Sequence, residues 1–363
     1  MPLFTTLLNS AACRSAVLLL LALLAVSASA DESGKESQPD KLFKSDANLE
    51  ITLTAAWREL IDNEAHQGAY PATLEYRDPQ GELHSHELTV ERRGVKRQDA
   101  CEFPPIRLRF AKEEVRDTMF RGQKSVKMVT HCRRSERYDQ YYILEMMAYR
   151  MYNVITDYSF DVRPLTVSYV NSGSGDFDET RFAFLIEDDS DVAKRNDLKK
   201  YTTDRLGPAN LDPATASDMA LFQYMIGNVD WSPLIGPDPE ECCHNVKLVA
   251  PRPLEQGDLI QPVPYDFDSS GLVNPPYAEP PDNLGIRSVT QRVYRGYCAH
   301  NGELENARRK ALDRKADILA VLDSDERLSD RSRQKAAKYL DKYFDILADE
   351  KDFERLIVKN CRK

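Results

Sequence analysis

Three polar strings in the otherwise apolar second half of the chain carry residue types suited to phosphoryl chemistry. Asp230 lies in MIGNVDW directly after an apolar run, and Asn245 lies in CCHNVKL just before another. Asp266 and Asp268 follow a short apolar segment in PVPYDFDSSG. Carboxylate and amide oxygens are the ligands that a hard cation such as Mg²⁺ prefers. We therefore expect a site in which one Asp orients a nucleophile while an Asn and an Asp hold metal against phosphates.

Two charged residues with apolar neighbours extend this pattern in the first half of the chain. Lys127 lies within the strand-like SVKMV, and Glu145 lies within ILEMM of the following helical stretch. A strand lysine paired with a glutamate on the next helix is how protein kinases hold the α- and β-phosphates of ATP. A solvated edge lysine and a glutamate on a polar helix face are the alternatives. We predict an ion pair between Lys127 and Glu145.

The elements that must position these residues can be read from the hydrophobic pattern. Period-2 alternation predicts strands in LEITLTAAW, ATLEYRD, HELTVER, PIRLRFAK, SVKMVTHC, RPLTVSYVN and TRFAFLIED. Helical spacing marks YDQYYILEMMAYRMYNVI, residues 212–225 and most of 302–359. The order predicts an α+β protein. It would have an antiparallel, sheet-rich N-terminal lobe at residues 49–200 and a helical C-terminal lobe with polar site loops at residues 201–363.

From about Leu88 to Leu272 the sequence resembles the spore-coat H (CotH-like) family of secreted atypical protein kinases. VERRGVKRQDACEFPPIRLRF resembles the family's N-lobe string, and KMVTHCRRSERYDQYYILEMMAYRMYN resembles its next strand, loop and long helix. FAFLIED is similar to its hinge-side strand, and GNVDW, HNVKL and PYDFDSSG are similar to its Asn-x-Asp, His-Asn and Asp-x-Asp strings. FPP, THC, YDFDSSG and YRGYC together look most like an exported bacterial branch of this family.

The resemblance implies an atypical kinase-like fold of two lobes and a role for each polar string. Asp230 takes the catalytic-loop role. Asn245 and Asp266, with Asp268 beside them, take the metal roles. The implied cofactors are Mg²⁺ or Mn²⁺ together with ATP.

The same resemblance assigns the phosphate-holding ion pair to Lys127 and Glu145, with Arg107 as the residue that could replace Lys127. Two features depart from the pattern of ordinary kinases. The stretch WSPLIGPDPEECCH separates Asp230 from Asn245, and no GxGxxG phosphate loop is present.

The N-terminal residues predict export. A single positive charge at Arg14 precedes an apolar run at residues 15–26, and the small residues Ala28-Ser29-Ala30 follow. This order is typical of a cleavable signal peptide, predicted here at residues 1–30, with a polar leader at 31–48. The alternative is an uncleaved anchor, but the run is shorter than the roughly 20 residues of a bilayer span. We expect a periplasmic or extracellular protein with no transmembrane segment.

The cysteines point to the same compartment. All but one of the seven cysteines lie outside the predicted signal, and an even number in an exported chain favours disulfides. Zinc is the alternative, although no CxxC pair is present. We predict that Cys101 bonds to Cys132, and that Cys298 bonds to Cys242 or Cys243. The other cysteine of that adjacent pair would then bond to Cys361, because a bond between neighbours would be strained.

Three functions are compatible with these observations. The first is an exported CotH-like kinase that transfers phosphoryl from Mg-ATP to a protein or envelope component. The second is a catalytically inactive, kinase-like envelope protein that binds a ligand or partner. The third is a sugar transferase with the Asp266 to Asp268 string as its metal clamp, which the absence of preceding βα units disfavours. The formal charge of −10 disfavours nucleic acid as a partner.

Overall fold

Seven strands of the first half close into a barrel in the computed structural model, which describes residues 41–63, 68–94, 97, 100–237 and 242–363. The barrel strands are β1 (Leu49–Ala55), β2 (Ala69–Arg77), β3 (Leu83–Arg92), β4 (Ile106–Phe110), β5 (Ser125–Val129), β6 (Val162–Asn171) and β7 (Asp178–Ile186). Their spatial order is β1-β2-β3-β4-β5-β7-β6. The strands follow one another around the wall except that β6 and β7 change places.

Closure of the barrel depends on one parallel pair. Strand β1 lies beside β6 with Leu49 opposite Leu165, whereas every other neighbouring pair in the wall is antiparallel. Alternate side chains point inward and form an apolar core in which Leu53, Leu74 and Val90 are fully buried. Alternation along each strand thus fills the barrel, as the period of a β-strand requires.

The predicted two-lobe, kinase-like arrangement of a sheet lobe and a helical lobe is wrong. The sheet has no free edge because β1 pairs with both β2 and β6. The second half also contains a three-stranded sheet of order β10-β9-β8. Its strands are β8 (Lys199–Tyr201), β9 (Val246–Ala250) and β10 (Gln261–Pro264). Local alternation is the same in open sheets and barrels, so the pattern could not distinguish them.

Eight α-helices accompany the two sheets within the described residues. They are α1 (Trp57–Asp62), α2 (Asp139–Ile155), α3 (Asp189–Arg195), α4 (Pro213–Ile226), α5 (Leu304–Asp313), α6 (Lys315–Ala320), α7 (Asp330–Ala348) and α8 (Glu350–Leu356). Helix α4 is buried from Thr215 to Ile226 without interruption, which marks it as the central helix of the second core.

The ends of α4 explain how it delivers the chain to the candidate site. Asp212 caps its start, since its carboxylate accepts a hydrogen bond of 2.8 Å from the backbone N–H of Thr215. Gly227 ends it in the left-handed conformation, with φ of 67°. A side chain there would also collide with the hydroxyl of Tyr339. The chain therefore turns sharply toward Asp230.

Residues Asp40–Lys363 form one compact unit. The predicted signal peptide at 1–30 and most of the polar leader lie outside the described residues. The last part of the leader is described, and its Leu42 is fully buried against the barrel core. In the described part of the chain, no helix has the length and apolar character needed to cross a membrane.

Candidate active site

Asp230 is held by hydrogen bonds on both its backbone and its carboxylate. The side chain of Asn228 accepts a 3.0 Å hydrogen bond from the backbone N–H of Asp230. The Oδ1 of Asp230 lies 2.7 Å from Nε2 of His244. Asp230 is half-buried, so its carboxylate is oriented by the histidine while remaining within reach of solvent. This combination suits a group that accepts a proton from a substrate hydroxyl.

Asn245 and Asp266 meet at one edge of the small sheet. Strands β9 and β10 are antiparallel neighbours with Val246 opposite Pro264. The start of β9 and the end of β10 therefore lie together, and the N–H of Tyr265 donates to the carbonyl of Asn245 at 3.0 Å. The side-chain amide of Asn245 in turn donates to the carbonyl of Asp230 at 2.7 Å.

Both Asn245 and Asp266 have left-handed backbone conformations, with φ of 52° and 63°. Asn and Asp are the non-glycine residues that adopt this region most readily. The backbone N–H of Asp266 also donates to the hydroxyl of Tyr149 on α2 at 2.8 Å. Backbone strain tends to be concentrated at functional sites, and here it affects two of the predicted site residues.

The neighbouring carboxylates affect the pKa of Asp266. Burial raises the pKa of Asp266, and the negative charges of Asp268 and Asp230 raise it further, against the opposing influence of Arg97 and Arg93. Asp268 and Asp230 are therefore both within electrostatic reach of Asp266. Such a cluster of acids is stabilised by a cation.

Arg97 is the cation that pairs with the buried carboxylates of this site, and the sequence pattern did not predict it. Its guanidinium forms an ion pair with Glu145 and lies 2.9 Å from the Oδ2 of Asp268. The hydroxyl of Tyr277 is 3.1 Å from Arg97 Nε and donates to Asp268 at 3.2 Å. Burial opposes the charge on Arg97, but Glu145 and the other anionic neighbours hold its pKa well above the ordinary value.

The ion pair predicted between Lys127 and Glu145 is thus replaced by one between Arg97 and Glu145. Burial raises the pKa of Glu145 to about 7, opposed by Arg97 and reinforced by Asp268 and Asp266. One oxygen of Glu145, Oε1, is buried without a hydrogen-bond partner among the described residues. Arg97 lies in the polar string VKRQD, where no periodicity marks one charge as buried.

Lys127 instead belongs to a group of cations beside the site. Its amine lies 4.9 Å from the ring centre of Tyr265, and the amine of Lys247 lies 5.2 Å from the same ring. Arg107, the predicted substitute, faces Lys127 across β4 and β5 and donates to the Ser125 hydroxyl at 3.3 Å. The two lysines therefore approach the residue directly before Asp266.

Burial, together with repulsion from the neighbouring cations Arg93 and Lys247, lowers the pKa of Lys127 to about 8. Arg93 in turn lies within electrostatic reach of Asp266, and burial lowers its own pKa. A group of mutually repelling cations is unfavourable unless an anion is bound. The arrangement places positive charge beside the acidic cluster.

The predicted metal ligands differ in how available they are. Asn245 and Asp266 lie together at the sheet edge, whereas Asp268 is engaged by Arg97 and Tyr277. A separate group, Asp78 and Glu82 on the turn before β3 and His84 at the start of β3, brings its ligand atoms within 4.8 Å of one another. Asn245 and Asp266 are therefore the residues at the predicted site that fit a metal ion.

Three disulfides lie within the described residues, and one of them was predicted. Cys101 bonds to Cys132 with a Cα–Cα distance of 4.5 Å, as the sequence analysis expected. Cys298 bonds to Cys361, at 4.9 Å, and not to the adjacent pair. The predicted link from Cys298 to residues 242–243 is wrong because the C-terminus lies along the segment before Cys298, with Cys298 N–H donating to the carbonyl of Arg362 at 2.8 Å.

The adjacent cysteines 242 and 243 bond to each other, so that prediction is also corrected. They directly precede His244, whose backbone exchanges hydrogen bonds of 2.9 and 3.0 Å with Ser232. The two segments that carry Asp230 and Asn245 are thereby joined, despite the long stretch of sequence between them.

The chain has no match among models of known protein families, and no curated protein matches it significantly in sequence. The function must therefore be argued from the site itself.

Proposed function

We propose that this protein is a metal-dependent phosphotransferase that uses ATP. The proposal rests on one observation: oxygen ligands suited to a cation lie close to basic side chains. Asn245 and Asp266 supply oxygens suited to Mg²⁺ or Mn²⁺, and the amines of Lys127 and Lys247 lie against the ring of Tyr265, the residue directly before Asp266. A nucleotide polyphosphate with a divalent cation has the complementary chemistry, because its phosphates need both the cation and basic side chains.

Asp230 is the residue best placed to act on the acceptor. Its carboxylate is half-buried and oriented by His244, while Asn245 and Asp266 lie beside it. In the reaction, a hydroxyl oxygen of the acceptor forms a bond to the γ-phosphorus of ATP. The bond from that phosphorus to the bridging oxygen breaks to release ADP, and the hydroxyl proton passes to Asp230. The bound cation would supply charge neutralisation at the phosphates, held by Asn245 and Asp266.

The proposal rests on these side chains and not on a kinase fold, because the barrel differs from the expected lobe. Function depends on sites that unrelated folds can carry. The three disulfides support a further part of the proposal, that the protein is exported to an oxidising compartment. A protein or envelope component is the proposed acceptor.

The first test is binding of ATP with and without Mg²⁺ or Mn²⁺, measured by calorimetry and by thermal unfolding. We expect binding that requires the cation. At a ligand concentration one hundred times Kd, the free energy of unfolding should rise by about 2.7 kcal/mol. Absence of binding with either cation would contradict the proposal.

Cation-dependent binding without release of ADP would instead support the second candidate, an inactive protein that binds nucleotide. The structural observation that favours this candidate is the engagement of Asp268 by Arg97, which leaves a single carboxylate, Asp266, beside Asn245 for the metal. The assay must therefore follow ADP release in the presence of acceptor proteins as well as binding.

The affinity for ATP should depend on pH through Lys127. Its pKa of about 8 means that the amine is charged at pH 7 and loses its proton as the pH rises toward 9.5. Burial is the largest cause of this low pKa; repulsion from Arg93, Lys247 and Arg107 adds to it, and attraction to Asp189 opposes it. Because only the charged amine attracts phosphate, we expect Mg-ATP binding to weaken roughly tenfold between pH 7.5 and 9.5.

The Lys127→Met variant should bind Mg-ATP weakly at both pH values, with the pH dependence lost. Lys124→Met is the matched control, since Lys124 is exposed just before the same strand. It should behave like the wild type. The same pH dependence in Lys127→Met as in the wild type would assign the titration to another group.

A further inference from the structure

A groove beside the site carries only positive charge. It has a volume of about 640 Å³ and lies between the start of α2, the segment after Asp268 and the first half of α7. The charged side chains among its described lining residues are Arg137, Arg331 and Lys335, and no carboxylate lines it. In a protein with a formal charge of −10, a groove with only cations is unlike the surface as a whole.

The floor of the groove is apolar, and its rim is charged. Leu144, Leu272, Val273 and Ala336 line it and are buried, whereas the three cations are exposed. Arg331 and Lys335 are four residues apart on α7 and so lie on one face of that helix. An occupant should therefore place an apolar side chain on the floor and carboxylates at the rim.

The walls of the groove are fixed to each other. The side chain of Gln140 on α2 accepts a 2.8 Å hydrogen bond from the N–H of Ser329 and donates to the carbonyl of Arg327 at 2.9 Å. The hydroxyl of Tyr339 on α7 donates to the carbonyl of Thr290 at 3.3 Å. The surface is thus largely pre-formed, which lowers the entropic cost of binding.

One wall of the groove is continuous with the candidate active site. The N–H of Leu272 donates to the carbonyl of Ile226 at 2.9 Å, and that of Gly271 donates to Gly227 at 3.2 Å. These contacts join the segment that follows Asp268 to the segment that precedes Asp230. The wall of the groove is therefore hydrogen-bonded to the chain segment that leads to Asp230.

We propose that this groove binds an extended, acidic segment of the protein that receives the phosphoryl group. Charge complementarity identifies the partner. Among the described residues the groove is lined by three cations with no ion-pair partner and by no acid, and such a surface selects carboxylates and repels basic segments. Assignment of the segment as the acceptor rests on the proposed function. Binding of the segment itself does not.

The test uses a fluorescently labelled peptide of Asp and Glu residues with one central Leu, and its binding to the full chain is measured by anisotropy without nucleotide. The Arg331→Glu/Lys335→Glu variant should bind at least tenfold more weakly. Lys342→Glu/Lys351→Glu is the matched control, because it makes the same change of net charge at two exposed lysines outside the lining. Its affinity should stay within twofold of the wild type.

Equal binding of a peptide in which Asn and Gln replace the acids, or unchanged affinity in the Arg331→Glu/Lys335→Glu variant, would overturn the inference. Mg-ATP binding is measured on the same samples. Peptide binding without ATP binding would reject the proposed phosphotransferase and support the groove as a peptide-binding site. ATP binding without peptide binding would support the phosphotransferase and reject the groove as a peptide-binding site.

Discussion

Replacement of Asp266 by asparagine is expected to reduce the affinity for Mg-ATP by at least a hundredfold while leaving the protein folded. The variant removes one negative charge from the metal-holding pair and keeps the shape of the side chain. Asparagine also tolerates the left-handed backbone of position 266, where φ is 63°, so strain is not added. Loss of a charged metal ligand removes most of the attraction for the cation that the phosphates require.

The same change should not lower the stability of the ligand-free protein. Burial and the charges of Asp268 and Asp230 raise the pKa of Asp266, which means that its ionised form is unfavourable when no cation is bound. We expect the free energy of unfolding in urea to stay level or to rise by up to about 1 kcal/mol. Gain in stability with loss of binding is the pattern of a residue retained for function.

Asp282→Asn is the matched control, since Asp282 is exposed at the start of a short 3₁₀ helix. It should bind Mg-ATP like the wild type. Wild-type affinity in Asp266→Asn would remove Asp266 from the site and, with it, the main support for the metal-dependent reaction.

The residues of the candidate site could be predicted largely because each lies at the end of an apolar element. Asp230 follows α4, Asn245 precedes β9 and Asp266 follows β10, and a polar residue at such a boundary is visible in the sequence. Their convergence follows from the antiparallel pairing of β9 with β10 and from the bridge between Ser232 and His244. The pattern singled out these residues without showing that a bond between adjacent cysteines lies just before Asn245.

The partners of Glu145 and the architecture could not be predicted in the same way. Arg97 is buried by tertiary contacts with Glu145 and Asp268, and nothing in its local sequence distinguishes it from an exposed arginine. The closure of the barrel depends on β1 lying beside β6, a pairing between strands far apart in the chain. Alternation specifies which side chains face inward, but not which strands meet at the edges.

The second large effect is expected at Arg97 and concerns stability. Arg97→Met keeps the length and packing of the side chain but leaves Glu145 and Asp268 buried without their cation. Removal of one partner from a buried ion pair costs about 3–5 kcal/mol, because the remaining charges stay desolvated. We expect the free energy of unfolding in urea to fall by that amount at pH 8.

Two further variants separate this mechanism from a loss of packing. Arg97→Met/Glu145→Gln should recover about 1–3 kcal/mol of the loss, since the uncompensated carboxylate is replaced by a neutral amide. Arg109→Met is the exposed control: Arg109 pairs with Glu91 at 2.6 Å, but its side chain is 49% exposed. Such a surface pair contributes no more than about 1 kcal/mol.

If Arg97→Met destabilised the protein no more than Arg109→Met does, Arg97 could not be the cation that compensates Glu145 and Asp268. If Glu145→Gln recovered nothing, the loss would be one of packing. The buried charge would then have to be neutralised by another group, and Arg93 is a candidate because it lies within electrostatic reach of Glu145 and Asp266.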